Sequence, residues 1–295
     1  MVKIVNAALV LRRPILIEGD PGSGKTTLAY AVARELDLPG PFRWSITTRT
    51  SLQDGLYQYD ALSRLHDSNL KDPSSLDRAK DIGRYLRLGP LGMAFAVTTP
   101  KRPAVLLIDE IDKSDLDLPS DLLHLFEEGS FAIPELERLE GEETVRVLPC
   151  LASGDASSPA ARVPVTRGRI ACEGEFPLVI MTSNKAREFP GPFLRRCLQV
   201  VARPLETVDQ LLNAARQHLA KFAPEIATED PRIRSLVEQF ARRNREQIHS
   251  LDQLLNALVL LLKANAELAE GKELESGDRD LQDALWVSLG SRSKN

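Results

Sequence analysis

Residues 14–27 read PILIEGDPGSGKTT: an apolar run, a glycine-rich turn and the start of a helix-like stretch that continues to Leu36. Glycines in such a turn let successive backbone N–H groups point into one concavity, and the following helix adds the positive end of its dipole. Lys25 supplies a mobile charge for the outer phosphates of a nucleotide, and the Thr26 hydroxyl can bind Mg²⁺. The pattern predicts a phosphate-binding (Walker A) loop. Its predicted nucleotide contacts are Gly19, Asp20, Pro21, Gly22, Ser23, Gly24, Lys25, Thr26 and Thr27.

The composition limits the class of protein. The chain has 295 residues, of which 43% are hydrophobic and 27% charged, and its formal net charge is −4. These values are typical of an ordinary globular protein and argue against a broadly basic surface that neutralises nucleic acid. Three cysteines without metal-ligand spacing favour free thiols in a reducing compartment, and no segment looks long and apolar enough to span a membrane. We therefore expect a cytoplasmic protein with no membrane partner.

Four later segments have the composition of buried parallel strands. They cover residues 42–47, 104–109, 176–182 and 197–202, and the second and third are nearly continuous apolar runs. Residues 76–88 and 116–128 lie between them and have helical spacing. Strands that alternate with helices indicate an α/β protein.

Two further regions define the predicted domain organisation. Residues 129–176 are interrupted by glycine and proline, which predicts one or two hairpins with residues 153–161 as their tip. After Pro204 the pattern is helical only. The chain is longer than one core usually supports, so we expect a nucleotide-binding domain over residues 1–203, carrying the hairpins, and a helical lid domain over residues 204–295. The predicted lid helices cover residues 206–222, 231–243, 250–269 and 278–289.

Two adjacent carboxylates, Asp109 and Glu110, follow the apolar strand at residues 104–109. This is a Walker B pattern, at the strand end where open α/β sheets bind their ligands. Asp109 would hold Mg²⁺, and Glu110 would orient the attacking water, because one carboxylate cannot face both the metal and the nucleophile. The alternative is an acidic turn that caps the next helix. Asp112 is interpreted as a capping residue or as the partner of a basic group.

Three polar side chains complete the candidate site. Asn184 follows the strand at residues 176–182 and could bond both a phosphate oxygen and the attacking water, or could simply begin a turn. Arg195 and Arg196 precede the last strand and could stabilise charge on a transferring phosphoryl group, or could be a solvated surface pair. Since the last strand is predicted at the far edge of the sheet, these arginines would more easily serve a neighbouring subunit. That arrangement predicts a ring.

In this order, the motifs resemble those of an AAA+ ATPase, and residues 13–26, 48–60 and 89–91 resemble the MoxR family. The resemblance implies a P-loop NTPase three-layer sandwich, with a five-stranded parallel sheet in the order 5-1-4-3-2 and a smaller all-helical lid. It also implies a hexamer that hydrolyses Mg-ATP, with Glu110 as catalytic base, Asn184 as sensor 1, and Arg195 or Arg196 as the arginine finger in trans. Members of the family remodel protein partners, often together with a protein that carries a von Willebrand factor A domain.

Some interpretations stay open at this point. The family commonly carries a sensor 2 arginine where residues 249–253 read HSLDQ, which predicts weakened coupling between lid and nucleotide unless Arg242, Arg243 or Arg245 takes its place. Tyr57 and Tyr59 could line a ring pore, although packing over the sheet is the preferred interpretation. Two alternative functions are a nucleic-acid motor or loader that uses the arginines of residues 129–176, and a nucleotide-gated scaffold with slow hydrolysis.

Overall fold

The structure is a computed structural model. It describes residues 1–21, 23–70, 80–139, 144–150, 162–172, 176–202, 207–219, 231–246, 254–255 and 258–259. The chain divides into two compact units. The first unit comprises residues 1–18 and 25–201, and the second comprises residues 19–24 and 202–295.

The first unit contains strands and helices that alternate along the chain. Its strands are β1 (Ile15–Glu18), β2 (Phe42–Ser45), β3 (Tyr57–Tyr59), β4 (Leu86–Leu88), β5 (Val105–Asp109), β6 (Ser130–Ala132), β7 (Thr144–Val147), β8 (Val163–Thr166), β9 (Arg169–Ala171), β10 (Leu178–Ser183) and β11 (Leu198–Val201). Its helices are α1 (Val2–Leu11), α2 (Thr27–Glu35), α3 (Leu52–Leu56), α4 (Ala61–Asn69), α5 (Pro90–Val97), α6 (Leu118–Glu128), α7 (Pro134–Glu137) and α8 (Gly191–Arg196). Short 3-10 turns cover Ile82–Arg84 and Ile111–Lys113.

A five-stranded parallel sheet lies at the centre of this unit, in the order β11-β1-β10-β5-β2. Every residue of β5 and β10 is buried, which is the pattern of a parallel sheet covered on both faces. Counted along the chain, the order of the core strands is 5-1-4-3-2, so the predicted fold class and the predicted strand order are confirmed.

The register of this sheet brings the carboxyl ends of its central strands together. Glu18 pairs with Ser183, and Ser45 pairs with Asp109. Met181 pairs with Ile108, so that the next residue of each strand, Thr182 and Asp109, also lie side by side. Side chains that follow β5 and β10 are therefore neighbours in space although more than seventy residues separate them in the chain.

The predicted hairpin region forms a second, antiparallel sheet in the order β6-β9-β8-β7. Within this sheet, Arg167 and Gly168 both have positive φ angles, 51° and 68°. Two such residues make the tight turn that suits the twist of a hairpin, so the chain reverses between β8 and β9. The predicted tip at residues 153–161 lies outside the described residues.

The helix predicted over residues 76–88 is also wrong in the part that the structure describes. Residues 82–88 form a 3-10 turn followed by β4, which pairs antiparallel with β3. Leu148 bonds β4 on its other side: the Leu88 N–H donates to the Leu148 carbonyl, and the Leu148 N–H donates to the Leu86 carbonyl, both at 2.9 Å. Distant pairing partners on both sides of β4 decide its conformation, and local helical spacing does not.

Helix α5 packs closely on α3 through a glycine. A Cβ atom placed on Gly92 would lie 2.0 Å from the Leu56 carbonyl oxygen, which already accepts a hydrogen bond from the Gly89 N–H at 2.9 Å. On the same helix, Phe95 packs edge-on against Phe131 and Phe176. Helix α5 therefore joins the central sheet to the second sheet through one continuous apolar core.

The second unit is helical where it is described beyond the loop at residues 19–24. Its helices are α9 (Val208–Leu219) and α10 (Pro231–Glu246), and their apolar residues form a separate core with Leu254, Leu255 and Leu258. Most of the predicted helix at residues 250–269 and the whole of that at 278–289 lie outside the described residues, as does the HSLDQ stretch at 249–253. The domain boundary at residue 203 stays a prediction. In the described part of the chain, none of the helices has the length and hydropathy needed to cross a membrane.

Candidate functional site

Asp109 lies at the carboxyl end of β5, and both of its carboxylate oxygens accept hydrogen bonds. Oδ1 accepts from the Thr26 hydroxyl at 3.1 Å and from the Thr182 hydroxyl at 2.7 Å. Oδ2 accepts from Arg43 Nε at 3.1 Å and from Arg43 Nη2 at 2.6 Å. The Asp109 side chain is only 8% exposed, so these four bonds replace the water that a free carboxylate would bind.

The two predicted metal ligands, Thr26 and Asp109, are thus brought together. Thr26 is the residue directly before α2, and Lys25 beside it is buried. Within the described residues, no group of three or more His, Cys, Asp and Glu side chains could hold a metal ion. A hydroxyl and a carboxylate are instead the ligands that suit Mg²⁺, which keeps several waters and takes further oxygens from substrate phosphates. The donor set therefore fits Mg²⁺.

The loop at residues 19–24 contains a turn closed by Ser23 and a glycine with a positive φ angle. Ser23 donates from its hydroxyl and from its backbone N–H to the Asp20 carbonyl, at 2.8 and 3.3 Å. Gly24 has a φ angle of 77°, a conformation that favours glycine because it has no Cβ atom. Pro21 lies in the turn, and Thr27 is the first residue of α2. Gly22 lies outside the described residues.

Glu110 is held from several directions. Its backbone is in the left-handed region, with φ 61° and ψ 48°, and its N–H donates to the Thr182 hydroxyl at 2.9 Å. On the side chain, Oε2 accepts from Lys113 Nζ at 2.6 Å and Oε1 accepts from Asn184 Nδ2 at 3.3 Å. The hydrogen bond that Lys113 donates to Glu110 raises the pKa of Lys113. The structure therefore brings the predicted base and the predicted sensor 1 residue into contact.

Asp112 connects the segment after β5 with the segment after β10. Its Oδ2 accepts from the backbone N–H groups of Asn184 and Ala186, both at 3.1 Å. Its Oδ1 is buried and has no hydrogen-bond partner among the described residues. The interpretation of Asp112 as the partner of a basic side chain or as a helix cap is therefore replaced: it binds two backbone amides and positions Asn184.

The comparison with protein families adds the decisive observation. The family model of the AAA domain (dynein-related subfamily) matches residues 14–188, which begin at the strand before the glycine-rich loop and extend past Asn184. This chain belongs to that AAA family. Every side chain of the site at Asp109, Glu110 and Asn184 lies inside the matched segment of the AAA domain.

Solved structures give more distant likenesses to the AAA chain. NtrX from Brucella abortus in complex with ADP is 14% identical, with 87% of this chain and 46% of that chain covered and a TM-score of 0.43. The same protein in complex with ATP is 12% identical, with coverage of 88% and 48% and a TM-score of 0.43. A protein of Cytophaga hutchinsonii with a provisional ATPase assignment is 16% identical, with coverage of 77% and 52% and a TM-score of 0.43. This chain spans about half the length of these structures. No curated protein matches it.

The two predicted finger arginines lie in helix α8, just beyond the matched segment and away from Asp109. The edge strand β11 follows this helix, and three strand spacings, about 14 Å, separate β11 from β5. Both arginines are exposed, and Arg196 forms an ion pair with Glu127 of α6. The backbone carbonyl of Arg195 accepts a weak hydrogen bond from Arg13 Nη1 at 3.5 Å. The structure therefore brings neither arginine to Asp109 within one subunit.

The sequence analysis missed three residues that contact the site carboxylates: Arg43, Lys113 and Thr182. Strand β2 alternates buried and exposed residues, with Phe42 and Trp44 inside and Arg43 outside. The strand order implied by the family resemblance already puts β2 next to β5, but nothing in the local pattern indicates the register of the two strands or that the Arg43 side chain reaches Asp109. Only the pairing of these two strands brings the guanidinium to Asp109.

Tyr57 and Tyr59 both have partners inside the subunit. The Tyr57 hydroxyl donates to Glu135 Oε2 at 2.9 Å, and burial together with that carboxylate raises the pKa of Tyr57 to about 12. The Tyr59 hydroxyl accepts from Arg64 Nη1 at 3.1 Å. These contacts agree with packing over the sheet.

Proposed function

We propose that this AAA protein is an Mg-ATP-hydrolysing ATPase of the MoxR-like type. The observation that carries the proposal is the convergence of Thr26, Asp109, Glu110 and Asn184 at adjacent strand ends of the first unit. One hydroxyl, two carboxylates and one amide can supply the metal ligands, the base and the water-orienting group that a protein of this fold uses to hydrolyse a phosphoanhydride.

In this proposal, Thr26 and Asp109 would hold Mg²⁺, and the loop at residues 19–25 would bind the phosphates. When bound, the ion neutralises charge on the phosphate oxygens. Thr182 keeps Asp109 in position through its bond to Oδ1. Because Thr26 and Thr182 share this oxygen, the carboxylate plane is oriented before any ligand arrives.

Glu110 would accept the proton of the attacking water. The water oxygen bonds to the γ-phosphorus while the bond from that phosphorus to the bridging oxygen breaks, which leaves ADP and phosphate. Both Glu110 oxygens are engaged here, by Lys113 and Asn184. Each oxygen accepts one hydrogen bond and keeps a further lone pair for the attacking water, while the two bonds hold the carboxylate in place.

The arginine finger is proposed to act between subunits of a ring, as in a hexamer. Both arginines are exposed, but Arg196 is engaged with Glu127, so Arg195 is the better candidate. We further propose a cytoplasmic, chaperone-like remodeller whose partner is a protein, such as one with a von Willebrand factor A domain. The MoxR-like motifs of the sequence support this last step.

The test compares ATP turnover and nucleotide binding in the wild type and in Glu110→Gln. Removal of the carboxylate should lower turnover by about 10²- to 10⁴-fold, because general base catalysis is lost, while a fluorescent ATP analogue still binds. Glu128→Gln, at the exposed end of α6, is the matched control and should keep full turnover. Equal turnover in Glu110→Gln and the wild type would refute the assignment. Nucleotide-driven assembly with almost no turnover in the wild type would favour the scaffold alternative.

A further inference from the structure

Arg43 provides a full positive charge at the carboxylate proposed to hold the metal. Its Nε and Nη2 atoms both donate to Asp109 Oδ2, at 3.1 and 2.6 Å. The Arg43 side chain is 52% exposed and that of Asp109 is 8% exposed. A solvent-facing guanidinium thus bonds one oxygen of a buried carboxylate.

Electrostatics explains the ion pair between Arg43 and Asp109. A buried carboxylate is costly unless charged or polar groups compensate it. Arginine remains protonated at any accessible pH, so Arg43 can compensate Asp109 constantly while the protein holds no metal. The hydroxyls of Thr26 and Thr182 bond Oδ1 only, which leaves Oδ2 to the guanidinium.

A divalent cation at Asp109 would compete with this contact. A metal that binds Asp109 directly or through water uses the same carboxylate lone pairs, and a guanidinium a few ångströms from Mg²⁺ repels it. The long, half-exposed side chain of Arg43 can leave Oδ2 for solvent without disturbing the core. The bonds to Oδ1 can persist during that exchange and keep the carboxylate oriented.

We propose that Arg43 is a built-in competitor of Mg²⁺: it neutralises Asp109 in the metal-free protein and leaves Oδ2 when Mg²⁺ binds with nucleotide. Arg43 thereby weakens Mg²⁺ binding and stabilises the empty site. The inference rests on the proposed function, since it requires a site for Mg²⁺ and nucleotide at Thr26 and Asp109. It adds a positioning residue that none of the sequence motifs includes.

The test measures ADP binding by the full chain during a Mg²⁺ titration, with a fluorescent ADP. ADP has no γ-phosphate, so a contact between Arg43 and that group cannot affect the result. In Arg43→Ala the Mg²⁺ midpoint should fall about three- to tenfold, the range expected for removing one partly screened charge. The metal-free protein should also melt at a lower temperature than the wild type, and Mg-ADP should narrow that difference.

The control is Arg102→Ala. Arg102 is 56% exposed and forms an ion pair with Asp37 at 3.0 Å. Like Arg43, it is a half-exposed arginine paired with an aspartate, but its partner is not Asp109. It should leave the Mg²⁺ midpoint unchanged. Arg43→Lys, which keeps the charge but loses the two-pronged contact, should give an intermediate midpoint. If Arg43→Ala does not fold, the Mg²⁺ midpoint of Arg43→Lys tests the proposal in its place.

The outcomes distinguish a failure of the Arg43 proposal from a failure of the ATPase proposal. An unchanged or higher Mg²⁺ midpoint in Arg43→Ala and Arg43→Lys, with a wild type that responds to Mg²⁺, overturns the role of Arg43 and leaves the ATPase proposal intact. A wild type that binds no ADP overturns both. ADP binding that ignores Mg²⁺ in the wild type and in both variants also overturns both. If ADP binding responds to Mg²⁺ only after Arg43 is replaced, the result supports competition between Arg43 and Mg²⁺ for Asp109.

Discussion

Asp112 determines the geometry of the site at the scale of single residues, although it is not placed against the reacting groups. One of its oxygens accepts two backbone N–H groups that flank Lys185, whose φ angle is 59°. A left-handed conformation is unfavourable for lysine and needs such support. Asp112 therefore acts through Asn184, whose amide in turn contacts Glu110.

We predict that Asp112→Ala lowers the free energy of unfolding by about 1–3 kcal/mol, because two partly buried N–H groups lose their acceptor. Turnover should fall in the same direction as in Asn184→Ala, while the affinity for nucleotide changes less. Chemical denaturation and steady-state kinetics measure the two effects. Asp121→Ala removes an exposed carboxylate of α6 and is the control. It should leave turnover and the free energy of unfolding nearly unchanged. Normal turnover in a stable Asp112→Ala protein would contradict the positioning role.

At the scale of elements, the contact between α5 and α3 depends on the absence of one side chain. The Leu56 carbonyl lies where the Cβ atom of residue 92 would otherwise be, and it also accepts from the Gly89 N–H. Both partners are backbone atoms, so neither can rotate away as a side chain could. The two helices can approach this closely only because residue 92 is glycine.

Gly92→Ala should therefore destabilise the protein even though alanine is the better helix former. The helices must separate or the Gly89–Leu56 bond must break, at a cost of about 1–3 kcal/mol. Urea denaturation measures the change. Gly191→Ala is the matched control, since the closest atom to its added Cβ would be Arg195 Nη1 at 4.0 Å. Equal stability of the two variants would show that α5 shifts without cost.

At the scale of the whole molecule, the ring that we propose would share each active site between two subunits. Glu110 follows the inner strand β5, whereas Arg195 lies in α8, directly before the edge strand β11. Arg195 is exposed, and within the described residues its guanidinium has no partner. Each subunit would then supply its base to its own nucleotide and its arginine to a neighbour.

Mixing two inactive variants tests this arrangement. Arg195→Ala and Glu110→Gln should each lose most turnover alone. In mixed rings, a subunit with Arg195→Ala keeps its own Glu110 and can receive Arg195 from a Glu110→Gln neighbour, so turnover should reappear. Steady-state turnover is measured at several mixing ratios. Arg196→Ala, which removes the side chain engaged by Glu127, should stay largely active. If the mixture stays inactive although particle size shows mixed rings, the arginine does not act in trans.

Most of the fold and many residues of the candidate site were predictable because they depend on patterns that are local in the chain. The strands at residues 104–109 and 176–182 are nearly continuous apolar runs that end in polar residues. The errors fell where distant partners decide the structure. Pairing with β3 on one side and with Leu148 on the other makes residues 86–88 a strand, and the turn at Arg167 and Gly168 was concealed within an extended pattern.

The sequence by itself determined the glycine-rich loop, the apolar strands and the order of polar groups at their ends, because backbone conformation and burial follow from neighbouring residues. Only the tertiary structure decided which of these groups touch. It joined Arg43 to Asp109, Asp112 to the backbone of Asn184, and Lys113 and Asn184 to Glu110. Most of these contacts cross between strands and loops far apart in the chain, and no local pattern encodes the distance between two such segments.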